Sequence, residues 1–149
     1  YGKHQQLYKI IPRTIIKLIE EKKIEIHGHG EAVRTFIHIS DVADGIIKVA
    51  EKGKDGDIYH FSSYWRHPIL FTVKEICSRM NKIFNDYIVF IEDRIGQDNA
   101  YMLNFSKSIN ELGWLPKVKF QDGLDETILW IKDNWDIMKN EQQNYIHTI

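Results

Sequence analysis

The sequence contains 149 residues, of which 43% are hydrophobic and 28% charged, and its formal net charge is −1. This composition is typical of one globular domain, and the near-neutral charge excludes a strongly basic surface for nucleic acid or anionic lipid. No apolar run approaches the roughly 20 residues that span a bilayer. We therefore expect neither a membrane partner nor a nucleic-acid partner.

The single cysteine, Cys77, excludes an internal disulfide and fits a reducing compartment, so we expect a cytoplasmic protein. Cys77 lies among apolar residues at helical spacing. We interpret it as a small core residue rather than a nucleophile, because the pattern offers no local base to activate the thiol.

The first predicted elements are a helix and a short strand. Between about Tyr8 and Glu21, apolar residues recur at helical spacing, and Pro12 is tolerated near the first turn. Lys9 precedes this helix, and without further information it is a surface lysine. The alternating segment 23–27 then predicts a strand that ends at a turn.

Residues 28–41 combine a turn, an arginine, a strand and a helix start. Gly28 and Gly30 permit a tight turn because glycine tolerates positive φ. An apolar strand follows Arg34, and Ser40 or Asp41 is a candidate N-cap for the next helix. An arginine held between a turn and a strand can bind phosphate through its planar fork, and the alternative is a structural ion pair.

Two histidines flank the first glycine and raise the question of a metal site. His27 and His29 form an H-x-H pair. Two neighbouring ligands without a clear third and fourth make a weak metal signal. We therefore expect a turn with incidental histidines and no metal ion.

The middle of the chain predicts a helix, a strand and a second helix. Residues 41–52 form a helix that ends near Gly53, with an inner side made of Val42, Ile46, Ile47, Val49 and Ala50. Residues 57–62 are predicted as a strand between two helices, as in a βαβ unit. Thr72 and Glu75 have capping-box spacing ahead of the next apolar helix face.

The last third predicts two strands and two helices. Strands are expected at 87–91 and 100–105, joined by a polar loop that contains Gly96 and could wrap a ligand. Ser106 is a candidate cap for a helix that ends before Gly113, and Trp114 and Pro116 form a rigid apolar corner. A final helix is expected over 120–139, followed by a polar tail over 140–149.

Several of these segments together carry a resemblance to a known family. GHGEAVRTFIHISDV at 28–42 resembles a segment of the extended short-chain dehydrogenases that act on nucleotide sugars. Two further segments, EDRIGQD at 92–98 and ELGWLP at 111–116, are similar to segments of the nucleoside-diphosphate-glucose 4,6-dehydratase branch. The typical substrate of that branch is dTDP-glucose. YG at 1–2 and KIIP at 9–12 resemble further segments of the same enzymes. The resemblance covers nearly the whole chain in order.

The resemblance implies an α/β fold, namely the C-terminal part of an extended, Rossmann-type short-chain dehydrogenase, mainly helical with short strands. It implies that residues 1–139 bind a nucleotide sugar, with Arg34 and Arg94 on the diphosphate and Lys9 on the nucleotide. His27 matches an aromatic residue that lies against the base, His60 an asparagine near the nucleotide, and Gln97 a histidine. These three departures from the family pattern leave the identity of the nucleotide base open.

The chemistry of this family needs residues that the sequence lacks. No G-x-x-G-x-x-G or G-x-G-x-x-G turn is present to hold the NAD pyrophosphate, and no tyrosine has a lysine four residues later. The resemblance places the Asp-Glu pair that eliminates water upstream of Tyr1. We therefore assign no catalytic or cofactor-binding residue, expect the C-terminal half of an NAD enzyme that needs its N-terminal half, and expect this chain alone to be inactive. The resemblance also implies a homodimeric full enzyme.

Two alternatives stay open. One is half of a nucleotide-sugar 4-epimerase, against which the D-R-x-G-x-D loop argues, because epimerases commonly carry a different loop. The other is a non-catalytic module that borrows the sugar-nucleotide-binding fold. A glycine-rich turn and a Tyr-x-x-x-Lys pair in the upstream coding sequence would exclude the module.

Overall fold

The elements follow one another as short strands between helices, in a computed structural model that describes residues 1–93, 95–96 and 98–141. The helices are α1 (Ile10–Ile19), α2 (Ile39–Lys52), α3 (Ile69–Arg79), α4 (Phe84–Tyr87), α5 (Ser106–Leu112), α6 (Phe120–Asp133) and α7 (Trp135–Met138). The strands are β1 (Ile24–His27), β2 (Val33–Thr35), β3 (Arg66–Pro68), β4 (Ile88–Ile91) and β5 (Ala100–Tyr101). The expected α/β class, mainly helical with short strands, is confirmed.

The strands form two small sheets. In the first, β1 and β4 run parallel, with Ile24 opposite Ile88 and His27 opposite Ile91. In the second, β2 is central, antiparallel to β3 and parallel to β5. Residues 92–99 lead from β4 of the first sheet to β5 of the second, so this loop joins the two sheets.

The main core lies between α1, α3, α6 and β1. The helical spacing of apolar residues in these helices places one face of each inward, where burial of the side chains stabilises the fold. Cys77 is buried in this core, which confirms the prediction that it is a core residue. Its burial raises the pKa of the thiol to about 11. The fully buried members include Ile11, Ile15, Leu18, Ile24, Ile76, Phe120, Leu124 and Ile131.

The loop that follows α5 is fixed through Trp114. Its ring is fully buried and lies 4.8 Å from the ring of Phe61 and 5.9 Å from that of Phe105. The indole N–H donates to the carbonyl oxygen of Asp41 at 2.9 Å. Gly113 before it has a φ of 64°, which ends α5 in the left-handed conformation. The predicted apolar corner is therefore a packed anchor for the start of α2.

The start of α2 differs from the prediction. The helix begins at Ile39, and its cap is His38, whose ring Nδ1 accepts from the backbone N–H of Ser40 at 3.4 Å. Asp41 is instead buried inside the first turn, where its carboxylate accepts from the backbone N–H groups of Lys117 and Val118 at 3.0 and 3.1 Å. The prediction of Ser40 or Asp41 as the cap was wrong, because a distant loop uses the carboxylate.

The buried face of α2 also differs from the prediction. Asp41 and Gly45 face inward, while Ile46 and Ile47 are 60% and 58% exposed. A Cβ atom added to Gly45 would lie 2.6 Å from a ring carbon of Phe61, so only glycine allows this close approach. The polar and small residues of α2 therefore meet the rest of the described chain, and an apolar face is left exposed.

Three further predictions need correction. Residues 57–62 form no strand, so the βαβ unit predicted around this segment is absent from the described residues. Helix α3 starts at Ile69, which places Thr72 inside the helix with its hydroxyl donating to the carbonyl of Pro68, and removes the capping box. The final helix is interrupted at Asn134, whose side chain donates to the carbonyl of Trp130 at 2.8 Å.

The His38 cap predicts a pH-dependent stability. His38 is 3% exposed, and burial lowers the pKa of its imidazole below the usual 6.5, although the carboxylate of Glu126 opposes this. The unfolded chain then binds the proton more readily than the folded chain. The free energy of unfolding should therefore be highest above about pH 6.5 and decrease as the pH falls below it.

Urea unfolding between pH 5 and pH 8 measures this effect. His38→Asn keeps a capping side chain without a titrating group, so its stability should change less over this range than that of the native chain. The exposed His29→Asn serves as the control and should keep the native pH profile. Identical profiles for the native chain and His38→Asn would contradict the assignment.

No helix in the described part of the chain has both the length and the apolarity needed to cross a lipid bilayer.

Candidate functional site

The carboxyl ends of β1 and β4 meet at one edge of the first sheet. Ligands of parallel sheets commonly bind at this edge. His27 is the last residue of β1, and the N–H of Gly28 donates to the carbonyl of Ile91, the last residue of β4, at 2.9 Å. Gly28 and Gly30 have φ values of 56° and 69°, which confirms the predicted glycine turn. A Cβ atom on Gly28 would lie 2.9 Å from the side chain of Asp93.

The loop of residues 92–99 connects this edge to the sheet that carries Arg34. It starts beside His27 and ends where the carbonyl of Asn99 accepts from the N–H of Val33 at 2.8 Å. Ala100 and Tyr101 then pair with Val33 and Arg34. We call the surface between His27 and Arg34, bounded by this loop, the loop 92–99 site.

Arg94 and Gln97, two of the predicted ligand contacts, belong to this same loop but lie outside the described residues. Their approach to Arg34 therefore stays a prediction.

Arg34 occupies the middle of the central strand β2. His67 of β3 is opposite it on one side and Tyr101 of β5 on the other. Its guanidinium donates to the carbonyl of Val33 at 2.8 Å, and no described carboxylate lies within ion-pair distance. Because a guanidinium carries five N–H donors, Arg34 keeps donors available for an anion.

His67 and Tyr101 were not predicted from the sequence. The ring of His67 stacks on that of Phe71 at 4.3 Å, and burial lowers the pKa of His67, with an opposing effect of Glu75. The Nε2 atom of His67 is buried without a partner in the described residues, and Tyr101 is 56% exposed. Pairing between distant strands places these residues beside Arg34, and neither carries a local sequence signal for it.

The other predicted contacts lie at separate places. Lys9 is exposed immediately before α1, with its Nζ atom 5.2 Å from the ring centre of Tyr8. His60 is exposed, and its carbonyl accepts from the hydroxyl of Ser108 in α5 at 2.6 Å. These contacts do not join Lys9 or His60 to Arg34, so their roles stay predictions.

The two histidines of the turn make different contacts. His27 is half-buried, and its Nδ1 atom lies 2.9 Å from the carbonyl oxygen of Glu92. His29 is exposed, with its ring 6.1 Å from that of Phe90. In the described residues, no group of three or more histidine, cysteine, aspartate or glutamate side chains is arranged to hold a metal ion.

The described glycine turn does not fit the pyrophosphate of a dinucleotide. Such a site needs a glycine-rich turn from a strand into a helix, whose N-terminal N–H groups face the phosphates. Gly28 and Gly30 lead instead from β1 into the strand β2. The sequence contains no other glycine pattern of this type, so we derive no reaction step through NAD in this chain.

Known proteins share both sequence and fold with this chain. The model of the NAD dependent epimerase/dehydratase family matches residues 1–61. The dTDP-D-glucose 4,6-dehydratase of Bos taurus is 32% identical over 148 residues, which cover 96% of this chain and 41% of that protein. The chain thus spans about two fifths of the length of the curated relatives it matches.

Solved structures support the same relationship. The dTDP-glucose 4,6-dehydratase of Bacillus anthracis, in complex with NAD, is 32% identical with a TM-score of 0.87 over 93% of this chain and 44% of its own. The UDP-glucose 4-epimerase of Thermotoga maritima is 22% identical with a TM-score of 0.83 over 91% of this chain and 44% of its own, which shows a likeness of fold alone. Residues 1–61 thus match the model of the NAD dependent epimerase/dehydratase family, and the chain shares the Rossmann-type fold of the solved dehydratase over 93% of its length.

Proposed function

We propose that this chain is the nucleotide-sugar-binding portion of an NAD-dependent 4,6-dehydratase, with dTDP-glucose as the expected substrate. Residues 1–139 form this portion. The observation that carries the proposal is Arg34, an arginine in a central strand that has no described carboxylate partner and lies beside a loop rich in polar residues. Relatives named dTDP-glucose 4,6-dehydratase at 32% identity support the choice of reaction.

In this proposal the diphosphate binds at the loop 92–99 site. Arg34 and Arg94 contact its oxygens, Lys9 contacts the nucleotide, and Gln97 forms a hydrogen bond with a phosphate or the ribose. A charge-assisted hydrogen bond from arginine to phosphate contributes about 1.5–3 kcal/mol, so each arginine has a measurable effect on affinity. His27 lies against the base, and His60 contacts the nucleotide.

The redox and elimination chemistry belongs to polypeptide outside these 149 residues. The exposed apolar face of α2, which includes Ile39, Ile46 and Ile47, supports a neighbouring cofactor-binding portion that covers it. NAD supplies hydride transfer when it is bound there. The proposal includes a cytoplasmic location, which the buried and unpaired Cys77 favours, and a homodimeric complete enzyme.

Calorimetric titration of the intact protein with dTDP-, UDP-, CDP- and GDP-glucose tests the binding part of the proposal. We expect saturable binding of at least one nucleotide sugar and weaker binding of glucose 1-phosphate, which lacks the nucleotide. A parallel assay should detect 4-keto-sugar formation with the intact protein and NAD, and none with residues 1–149 alone. Absence of binding of all four sugars would refute the proposal, and binding without turnover by the intact protein would favour a non-catalytic module.

A further inference from the structure

A groove lies between the segment that precedes α1 and the last two helices. Residues 4–8 form one wall, and Trp130 of α6 with Ile137 and Met138 of α7 belongs to the other. The groove has a volume of about 550 Å³, within the roughly 300–1,000 Å³ of clefts that hold a ligand. No lysine or arginine is among the described residues that line it. The groove therefore offers a largely uncharged surface.

The walls of this groove leave contacts unmade. Ile137 is 69% exposed, and Trp130 is half-buried. The Oε1 atom of Gln5 is buried and has no hydrogen-bond partner in the described residues, and a buried acceptor without a partner is destabilising. A chain segment packed in the groove would cover the apolar side chains, and one of its backbone N–H groups would satisfy this acceptor.

Residues 4–8 include an uncommon backbone conformation. His4 has a φ of 63°, in the left-handed region that residues other than glycine seldom adopt, and its ring lies 4.9 Å from that of Trp130. Such a conformation persists only where the surrounding structure holds it. Contacts across the groove would supply part of that support.

The chain itself provides a segment at the mouth of the groove. Glu141 lines the groove, and its backbone N–H donates to the carbonyl of Met138 at 2.9 Å. The sequence that follows is QQNYIHTI at 142–149, which has one aromatic residue, two isoleucines and no lysine, arginine, aspartate or glutamate. Because this segment is attached where the groove begins, contacts too weak to hold a separate peptide suffice within one chain. Its composition matches an uncharged, partly apolar groove.

We propose that residues 142–149 bind in this groove and hold residues 4–8 against α6 and α7. The apolar side chains of the segment cover Trp130 and Ile137, and a backbone N–H donates to Oε1 of Gln5. Residues 4–8 lead directly into Lys9 and α1, so the contact fixes the entry of the first helix. An intramolecular contact of this kind does not depend on nucleotide binding, and it stands or fails separately from the proposed function.

Amide hydrogen exchange in residues 4–8 of the intact protein tests the proposal. Ile137→Asp places a charge on the groove wall, and Tyr145→Ser with Ile146→Ser removes apolar contacts from the segment. Each change should speed exchange in residues 4–8 by about three- to tenfold, because opening of the contact becomes easier. Ile83→Asp is the matched control, since Ile83 is also 69% exposed and does not line the groove, and it should keep the native rates.

Two outcomes of the exchange experiment would overturn the proposal. Native exchange rates in both variants would show that the segment does not hold residues 4–8. Faster exchange in Ile137→Asp together with native rates in the double serine variant would show that another part of the protein fills the groove.

Disulfide trapping tests the proximity directly. Ile137→Cys combined with Tyr145→Cys or with Ile146→Cys should form a cross-link on mild oxidation, because a disulfide requires Cα atoms within about 7 Å of each other. Ile83→Cys with the same partners is the control and should stay reduced. The native thiol of Cys77 is buried and has a raised pKa, so it does not compete. Absence of a cross-link in both test pairs, or equal cross-linking in the control, would overturn the proposal.

Discussion

Arg34→Ala should weaken the binding of dTDP-glucose to the intact protein by roughly ten- to a hundredfold, because it removes a charge-assisted contact with the diphosphate. Arg34 has no described carboxylate partner, and its one described hydrogen bond goes to the adjacent carbonyl of Val33. The substitution therefore leaves no buried partner charge behind, and the free energy of unfolding should change by less than about 1 kcal/mol. Calorimetry and urea unfolding measure the two effects separately.

The design of this test separates charge from geometry. Arg34→Lys keeps the charge but loses the planar fork, so its affinity should lie between those of the native protein and the alanine variant. Arg13→Ala is the matched control, because Arg13 pairs with Glu25 on the surface at 3.1 Å. An unchanged dissociation constant in Arg34→Ala, with normal folding, would show that Arg34 is not a ligand.

Trp114→Ala should lower the free energy of unfolding by about 3–5 kcal/mol, which is the usual cost of removing a large buried aromatic side chain. The ring is fully buried against Phe61 and Phe105, so its loss leaves a cavity. It also removes the hydrogen bond to the carbonyl of Asp41, which holds the loop after α5 against α2. Urea unfolding followed by circular dichroism measures the change.

Two further variants test whether the loss of stability comes from the buried ring or from the N–H donor of Trp114, and whether it is specific to this position. Trp114→Phe keeps most of the apolar surface and loses the N–H donor, so it should cost less than Trp114→Ala, about 1–3 kcal/mol. Leu115→Ala, at the adjacent and 46% exposed position, should change the stability by less than about 1 kcal/mol. A Trp114→Ala variant as stable as Leu115→Ala would contradict the anchoring role.

Much of the secondary structure was predictable because it depends on local patterns. The spacing of apolar residues predicted α1 and most of α6, and the strands expected at 23–27 and 87–91 lie within a residue of the observed bounds of β1 and β4. The glycine turn at 28–30 and the end of α5 at Gly113 followed from the freedom of glycine at positive φ. In each case, neighbouring residues along the chain are sufficient to determine the conformation.

The predictions that were wrong involve residues whose partners are distant in sequence. Aspartate is a common helix cap, but the carboxylate of Asp41 accepts hydrogen bonds from backbone N–H groups that lie 76 and 77 residues later in the chain. The apolar residues Ile46 and Ile47 predicted the inner face of α2, yet Gly45 packs against Phe61 in their place. Segment 57–62 has strand composition without a described strand beside it. Local composition does not indicate which distant residue or strand will contact a given segment in the folded chain.

For this protein, the sequence alone predicted the resemblance to the nucleotide-sugar dehydrogenases, the helices that form the core and Arg34 as a candidate phosphate ligand, because motifs and periodicity are properties of contiguous residues. Only the tertiary structure decided what surrounds Arg34 and His27. Pairing of three distant strands places His67 and Tyr101 on either side of Arg34, and the parallel pairing of β1 with β4 brings the carbonyl of Glu92 to Nδ1 of His27. These contacts join residues more than 30 positions apart, and their geometry exists only once the chain has folded.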